Sequence, residues 1–440
     1  MASAIDMSKY AKSREALPSN LHIWDPLPTQ TAIAETKIMD FYPVSSLDSS
    51  DTVDFVIPAI PKYMLDKVEI LTDIRVLTAA NGNPAVDADV STAPHLAAAL
   101  WRNVDVDIGG ISIMQSFDNS YAMFKFWETV LHNTDGCHAM LWQKEGLLLD
   151  SVTAKANSEN LVYFPEGGAA LVNNSGKVRA QRIAQGATVS LISDLNVSLF
   201  NQEKLLPSNL QALVRLTKNY SEFILLSAAA DTSKVVFDKV TLRCTFQRPV
   251  DMVVNLIEER LARENAIYHA DKRVLSFHPI SEGATDFTID NIFNGTLPYC
   301  FLVGVQDRAA FGRNRIKNPY SLYPIHKIQL FIDGQDFFPR PIERGPTEYA
   351  VMYDTFLKQT GYANNGDTLL HSAYRAYPAM AFDLTADKTR NQQSLNLVKS
   401  GTARLTLELG IQAHANQVLM VLAWYEQIIE ISKDREITII

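Results

Sequence analysis

Residues 328–387 read IQLFIDGQDFFPRPIERGPTEYAVMYDTFLKQTGYANNGDTLLHSAYRAYPAMAFDLTAD, and this stretch decides the fold of the chain. It begins with IQLFI, an apolar alternation that predicts a strand. The pair Asp333-Gly334 follows and tolerates the positive φ angles of a tight hairpin turn. The pattern then predicts a helix at residues 348–358 and a further strand at residues 379–384. The stretch therefore predicts a β unit with a flanking helix.

A weaker copy of this pattern lies in the first half of the chain. Residues 103–113 read NVDVDIGGISI, in which Gly109-Gly110 takes the place of Asp333-Gly334. A helical pattern, YAMFKFWETVL, follows this copy as a helical pattern follows the other. We interpret the four residues as structural turns. One similar unit in each half predicts two domains of the same kind in tandem.

The whole composition excludes several classes of protein. Of the 440 residues, 47% are hydrophobic and 20% are charged, which permits a large core and argues against global disorder. The formal net charge of −9 argues against sequence-specific binding of nucleic acid, because phosphate neutralisation needs clustered Lys and Arg. Cys137, Cys244 and Cys300 lie far apart and predict neither a disulfide framework nor a metal site. No apolar run predicts a transmembrane helix, and membrane contact stays an open question.

The pattern divides the chain into an arm and two β domains. Residues 1–20 are polar, show no periodicity and predict an N-terminal arm. We assign residues 21–249 to a first domain and residues 250–440 to a second. A linker helix is predicted at about residues 251–270, where apolar side chains recur on one helical face.

Short strands separated by turn residues fill both domains and favour an all-β class. The clearest strand is ARLTLEL at residues 403–409, and the apolar run at residues 418–424 is typical of a strand covered on both faces. A second helix is expected at residues 138–149. Residues 157–186 contain EGG, NNSG and AQG, which predict a long surface excursion.

Catalytic, cofactor and metal motifs are missing from the sequence. HExxH, GxSxG, GxGxxG and the P-loop pattern do not occur, and His371 and His414 are interpreted as surface or packed residues. Tyr349, Tyr353 and Phe356 could line a ligand groove, but their helical spacing is more typical of core contacts. We therefore predict no catalytic residues, no cofactor and no metal. A glycan-binding or carbohydrate-active β-sandwich stays open as an alternative, which would need an acid pair in a cleft or an exposed aromatic platform.

Several segments, taken in order, resemble one protein family. They are TVDFVIPA at residues 52–59, DNIFNGTLPYCFLVGVQDRAAFGRNRIKNPYSLYP at residues 290–324, IQLFIDGQDF, AMAFDLTAD and LAWYEQIIEISKDREITI. Together they resemble the major capsid proteins of Polinton/Maverick elements and their adintovirus relatives. That group belongs to the double jelly-roll lineage, which includes virophages and adenovirus hexon. The resemblance is densest from residue 290 to the end of the sequence.

The resemblance implies an all-β fold of two tandem eight-stranded jelly rolls with short flanking helices. It also implies a homotrimeric, pseudo-hexagonal capsomer that tiles an icosahedral shell beside neighbouring capsomers. Penton or other minor capsid proteins would be further partners, and the protein would reside in the virion. Such a block of six similar lobes tiles a close-packed shell while using only threefold symmetry.

Overall fold

The computed structural model describes residues 29–78, 90–133, 135–150, 174–227, 231–293, 295–311, 314–344, 350–361, 374, 377–388, 395–410 and 412–440. The arm predicted at residues 1–20 lies outside them.

The first half of the described chain contains β1 (Ile33–Phe41), β2 (Thr52–Ile57), β3 (Met64–Leu77), β4 (Ser91–Thr92), β5 (Trp101–Ile108), β6 (Ile111–Met114), β7 (Val189–Asp194), β8 (Ala212–Lys218), β9 (Leu225–Leu226) and β10 (Lys234–Pro249). The second half contains β11 (Ala266–Pro279), β12 (Asp286–Ile289), β13 (Thr296–Leu297), β14 (Cys300–Asp307), β15 (Ile325–Ile332), β16 (Gln335–Asp336), β17 (Ile342–Glu343), β18 (Met380–Asp383), β19 (Lys399–Ser400), β20 (Ala403–Leu409), β21 (Gln417–Ile431) and β22 (Ile437–Ile439). The helices are α1 (Leu96–Ala99), α2 (Ser120–His132), α3 (Asp135–Glu145), α4 (Asn174–Ile183), α5 (Ser221–Ile224), α6 (Asp251–Leu261) and α7 (Ala350–Thr360).

The two halves have the same strand topology. In the first half, one sheet has the order β1-β10-β3-β7 and the other β2-β8-β5-β6, with β4 and β9 as a separate short pair. In the second half the orders are β11-β21-β14-β18 and β12-β20-β15-β16, with β17 and β22 beside them and β13-β19 as the short pair. We number only the eight strands of the two principal sheets in each half, in chain order, and leave out the short pairs, β17 and β22. With this numbering, the sheets of both halves have the strand orders 1-8-3-6 and 2-7-4-5. Two packed antiparallel sheets in this order form a jelly roll, and we call the two units roll one and roll two.

Alternating side chains build the core of each roll. In β20 the alanine and leucine positions are buried while the intervening arginine, threonine and glutamate are more exposed, as expected for a strand with one face on the core. The first eight residues of β21 are all buried. This strand lies between β11 and β14, and its Trp424 packs against Phe124 of roll one, as expected for a strand that is buried on both faces.

The repeat in the sequence corresponds to the same hairpin in each roll. Gly109 and Gly110 join the fourth and fifth strands of roll one with φ angles of +58° and +83°. Asp333 and Gly334 make the equivalent connection in roll two with φ angles of +51° and +80°. Positive φ at both central residues defines a type I′ turn, whose twist matches the flanking strands. The carboxylate of Asp333 also accepts a hydrogen bond from the backbone N–H of Thr402, at 2.8 Å.

Some predicted boundaries are wrong. The linker helix, predicted at about residues 251–270, ends at Leu261 because β11 begins at Ala266 and pairs with β21 along its whole length. The second helix ends at Glu145, four residues early, where Gly146 adopts a φ of +70°.

The surface excursion predicted at residues 157–186 is partly a packed element. Its end forms α4, whose Arg179 is fully buried, while residues 157–173 lie outside the described chain. The helix predicted at residues 348–358 is α7, which ends at Thr360, two residues later than predicted, while residues 348 and 349 lie outside the described chain.

Replacing Gly334 with valine is expected to lower the free energy of unfolding by about 1–3 kcal/mol. A β-branched side chain resists the φ of +80° found there. A Cβ at this position would meet no atom within 4 Å, so the cost would arise in the backbone rather than from a clash. Urea and thermal unfolding would measure it. Gly334→Asn is the control, because Asn tolerates this conformation, and equal melting temperatures for the two variants would contradict the prediction.

Candidate assembly interface

Helix α2 lies between the two rolls. It belongs to the connection between the fifth and sixth strands of roll one, and eleven of its thirteen residues are buried. The turn before it is fixed by Ser120, whose Oγ accepts a hydrogen bond from the N–H of Phe117 at 3.0 Å. Because α2 is buried on all sides, its side chains need suitable partners on every side. Both apolar and charged side chains of α2 have such partners.

Aromatic side chains of α2 pack against roll two. Phe124 meets Trp424 of β21 edge to face, with ring centroids 5.2 Å apart. Phe126 stacks on Tyr320, with centroids 4.2 Å apart and the planes 15° from parallel, and also lies 5.5 Å from Tyr377. Such pairs contribute about 0.5–1.5 kcal/mol each beyond the apolar area that they bury.

A buried ionic network crosses the same junction. Glu128 of α2 accepts hydrogen bonds from Trp424 Nε1 and Asn196 Nδ2, each at 2.7 Å. Arg273 of β11 places its Nε 2.9 Å from Glu128 Oε1, outside hydrogen-bonding geometry, so this contact is an ion pair. Its Nη1 donates to the carbonyl oxygen of Asn196 at 2.7 Å. Both oxygens of a buried carboxylate are thus occupied, and its charge is compensated by the other roll.

A second polar network joins the rolls beside α4. Arg179 is fully buried and donates from Nη2 to Asp150 Oδ1 at 2.6 Å. It also donates to the carbonyl oxygens of Thr92 and Leu148, at 2.8 and 2.6 Å. The other carboxylate oxygen of Asp150 accepts from Asn318 Nδ2 of roll two at 2.7 Å. Arg179 therefore fixes the position of Asp150, the carboxylate that binds Asn318 of roll two.

The connection between the sixth and seventh strands of roll one, residues 195–211, covers the edge of β11. We call it the 6–7 connection of roll one. Ser198 Oγ accepts the backbone N–H of Asp271 at 2.9 Å, and Lys204 Nζ donates to the carbonyl oxygen of Ile267 at 3.0 Å. The hydroxyl of Tyr268 donates to the carbonyl oxygen of Leu205 at 2.8 Å. Two backbone groups on the β11 edge that faces away from β21 are thereby satisfied by roll one.

One of the four turn residues lies in this junction. A Cβ on Gly109 would lie 3.2 Å from the carbonyl oxygen of Arg435 in roll two. Arg435 also donates from Nε to the carbonyl oxygen of Ser208 at 2.6 Å and forms an ion pair with Glu258 of α6. Gly110 and the Asp333-Gly334 turn take no part in the contacts described above.

The aromatic residues considered for a ligand groove lie elsewhere. Phe356 is fully buried, and its ring and that of Tyr353 lie 5.1 and 5.2 Å from that of Tyr374. These are core contacts within roll two. His414 is exposed, while His371 and Tyr349 lie outside the described residues.

The buried pair of His95 and Glu145 lies beside Lys125 of α2. His95 Nε2 lies 3.0 Å from Glu145 Oε2, and Lys125 Nζ lies 3.4 Å from the same oxygen. Burial lowers the pKa of His95 below its ordinary value. Burial acts to raise the pKa of Glu145, but the His95 hydrogen bond and the Lys125 charge bring it down to about 2. An enclosed, ionised carboxylate is poorly suited to deliver a proton to a substrate.

Cavities and metal sites give no support to a small-ligand function. A cavity of about 70 Å³ lies beside Tyr299 and Tyr425, and another of about 10 Å³ lies beside Ile57. Both are far below the roughly 300 Å³ of a typical ligand pocket. Within the described ranges, no group of three or more His, Cys, Asp or Glu could hold a metal ion. Likewise, no helix described here is long and apolar enough to cross a membrane.

The strand order, together with comparison to solved structures, defines the class of fold as a double jelly roll. Neither a protein-family model nor a curated protein matches the sequence. A structure of the Sputnik virophage aligns over 97% of this chain and 92% of its own, with a TM-score of 0.65 and 12% identity. The Faustovirus major capsid protein aligns over 93% of both chains, with a TM-score of 0.57 and 8% identity. The mavirus major capsid protein covers 97% of this chain and 95% of its own, with a TM-score of 0.52 and 11% identity.

The fold implied by the resemblance is therefore confirmed. The residues that join the rolls were not found from the sequence, although one signal was present. Glu128 is the one carboxylate in the mostly apolar segment FKFWETV. A lone acid at such a position indicates a buried charge with a partner, but Arg273 is too distant in sequence to be recognised as that partner.

Proposed function

We propose that this chain is the major capsid protein of a virion, a homotrimer whose six jelly rolls form one pseudo-hexagonal capsomer. The observation that carries the proposal is the rigid pairing of two rolls of identical topology through α2 and its buried networks. Three copies of a chain with two similar lobes place six similar lobes around one threefold axis. Such a trimer can tile a shell as a hexagonal block would. The major capsid proteins of Faustovirus and mavirus have the same double fold over almost their whole lengths, which supports the proposal.

The proposed capsid role implies a division of the chain into an arm and two rolls. Residues 1–20 would be an arm, residues 21–249 roll one and residues 250–440 roll two with α6 as the linker. The strands of the two principal sheets of roll one lie between Ile33 and Pro249, and those of roll two between Ala266 and Ile439, which supports the boundary. Neighbouring capsomers and penton or other minor capsid proteins would be the partners.

Catalysis and cofactors have no place in this function. The glycan-binding or carbohydrate-active alternative has less support, because the described cavities are small and the candidate aromatic residues of α7 pack in the core. Proteins of one fold can still differ in function, so the assembly behaviour of this chain decides between the two.

Purified protein is expected to run as a stable trimer at micromolar concentration, with three times the 49.1 kDa mass of one chain in light scattering. An obligate interface of this kind should bury more than roughly 2,000 Å² in total. Negative-stain microscopy should then show hexagonal capsomers and, under assembly conditions, shells. A monomer throughout this concentration range would contradict the proposal, and retention on a glycan array would favour the alternative.

A further inference from the structure

One part of the contact between the rolls, beside that made by α2, joins two different surfaces. Roll one contributes its 6–7 connection, and roll two contributes the edge of its first strand, β11. Each roll has both features, because the strand topology is the same in each. A head-to-tail contact between rolls therefore leaves one surface of each kind unused in a single chain: the first strand of roll one and the 6–7 connection of roll two.

The first strand of roll one, β1, is an open edge. Among the described strands it pairs with β10 alone, and six of its nine residues are exposed. Ile38 in its middle is 61% exposed, and Tyr42 just beyond it is 65% exposed. An exposed edge strand that carries apolar side chains is a template for a further chain, and at the equivalent edge of β11 Ser198 and Lys204 bind two backbone groups.

The 6–7 connection of roll two spans residues 384–402, and its described residues, 384–388 and 395–402, include exposed apolar side chains. Leu397 is 82% exposed, Val398 71% and Leu395 49%, and the first two line the 70 Å³ cavity beside Tyr299. The corresponding connection of roll one buries most of its apolar side chains, with Leu199 and Phe200 at 1% and 3% exposure. Its chain neighbours Ser198 and Lys204 bind the β11 edge.

We propose that Leu395, Leu397 and Val398 of one copy dock on β1 of a second copy, around Ile38. The contact would repeat between chains the one that the 6–7 connection of roll one makes with β11 inside the chain. It rests on the proposed trimer, and it names the surfaces that would build it. Since each chain has one such connection and one open β1, the contact is heterologous and closes as a ring at the third copy.

A cysteine pair tests the contact directly. The double variant Ile38→Cys/Leu397→Cys, in a Cys137→Ser background, is treated with a short bis-maleimide and run on a denaturing gel. Cys244 and Cys300 are buried and should not react. Covalent dimer and trimer bands are expected from the double variant and not from either single variant. The control pair Ile38→Cys/Met140→Cys uses another exposed side chain, on α3, and should give no such bands.

A charge placed in the contact gives a second measurement. Leu397→Asp/Val398→Asp is expected to raise the dissociation constant of the trimer about tenfold or more in sedimentation experiments. Met140→Asp, at a residue of similar exposure, should leave it unchanged. If the aspartate variant forms the trimer normally and the cysteine pair gives no cross-link, this inference is overturned while the proposed function stays intact. Unsubstituted protein that stays monomeric would instead remove the proposed function, and the inference with it.

Discussion

Replacing Glu128 with alanine is expected to lower the free energy of unfolding by about 3–5 kcal/mol, one of the two largest single-residue effects expected for this chain. The change removes the counter-charge of Arg273, whose side chain is only 10% exposed, from the junction between the rolls. It also removes the acceptor of Trp424 Nε1 and of Asn196 Nδ2. A buried charge and two buried donors would be left without these partners. Urea unfolding followed by tryptophan fluorescence measures the loss.

Two further variants identify the cause of that loss. Glu128→Gln keeps the volume and one acceptor oxygen, and a smaller loss is expected because the ion pair and one of the two hydrogen bonds disappear while the other hydrogen bond can be kept. Glu259→Ala breaks an exposed ion pair with Arg263 on α6 and should change stability by less than about 1 kcal/mol. If Glu128→Ala cost no more than Glu259→Ala, the buried network would contribute little to the union of the rolls.

Replacing Phe126 with alanine is expected to cost about 3–5 kcal/mol, the usual range for deleting a buried aromatic side chain. Phe126 is fully buried and is packed against Tyr320 and Tyr377 of roll two as well as Trp127 of its own helix. The change would leave a cavity between α2 and roll two and remove the contacts with Tyr320 and Tyr377. Thermal unfolding and limited proteolysis between the rolls would both report it, since a loosened junction exposes the linker.

The matched control for this variant is Phe117→Ala. Phe117 lies just before the same helix but is 69% exposed, so its removal should change stability by no more than about 0.5 kcal/mol. Similar melting temperatures for the two variants would show that the contact of Phe126 with roll two contributes little to stability.

Local patterns predicted the strands and turns, whereas the junction depends on distant partners. The turn at Asp333-Gly334 could be read from the sequence because positive φ favours these residue types. The strand at residues 403–409 could be read because one of its faces is buried. The two halves were recognised as similar because the same hairpin and helix recur in each.

The remaining features are set by contacts that no local pattern encodes. The linker helix stops at Leu261 because β11 must begin in register with β21, a long-range pairing that overrides the helical periodicity. The role of Glu128 depends on Arg273 and Trp424, which lie in the other roll. The covering of the β11 edge by Ser198 and Lys204 likewise needs the folded positions of both rolls.

The placement of α2 has a consequence for the time course of synthesis. Trp424, which packs on this helix, follows Glu128 by 296 positions along the chain. It belongs to β21, a central strand of roll two that is synthesised after the whole of roll one. Until β21 is synthesised, the side of α2 that packs on Trp424 therefore remains uncovered beside a completed first roll. Late long-range pairing slows folding and makes such exposed surfaces prone to aggregation. Nascent chains are therefore expected to need a chaperone until roll two has been synthesised.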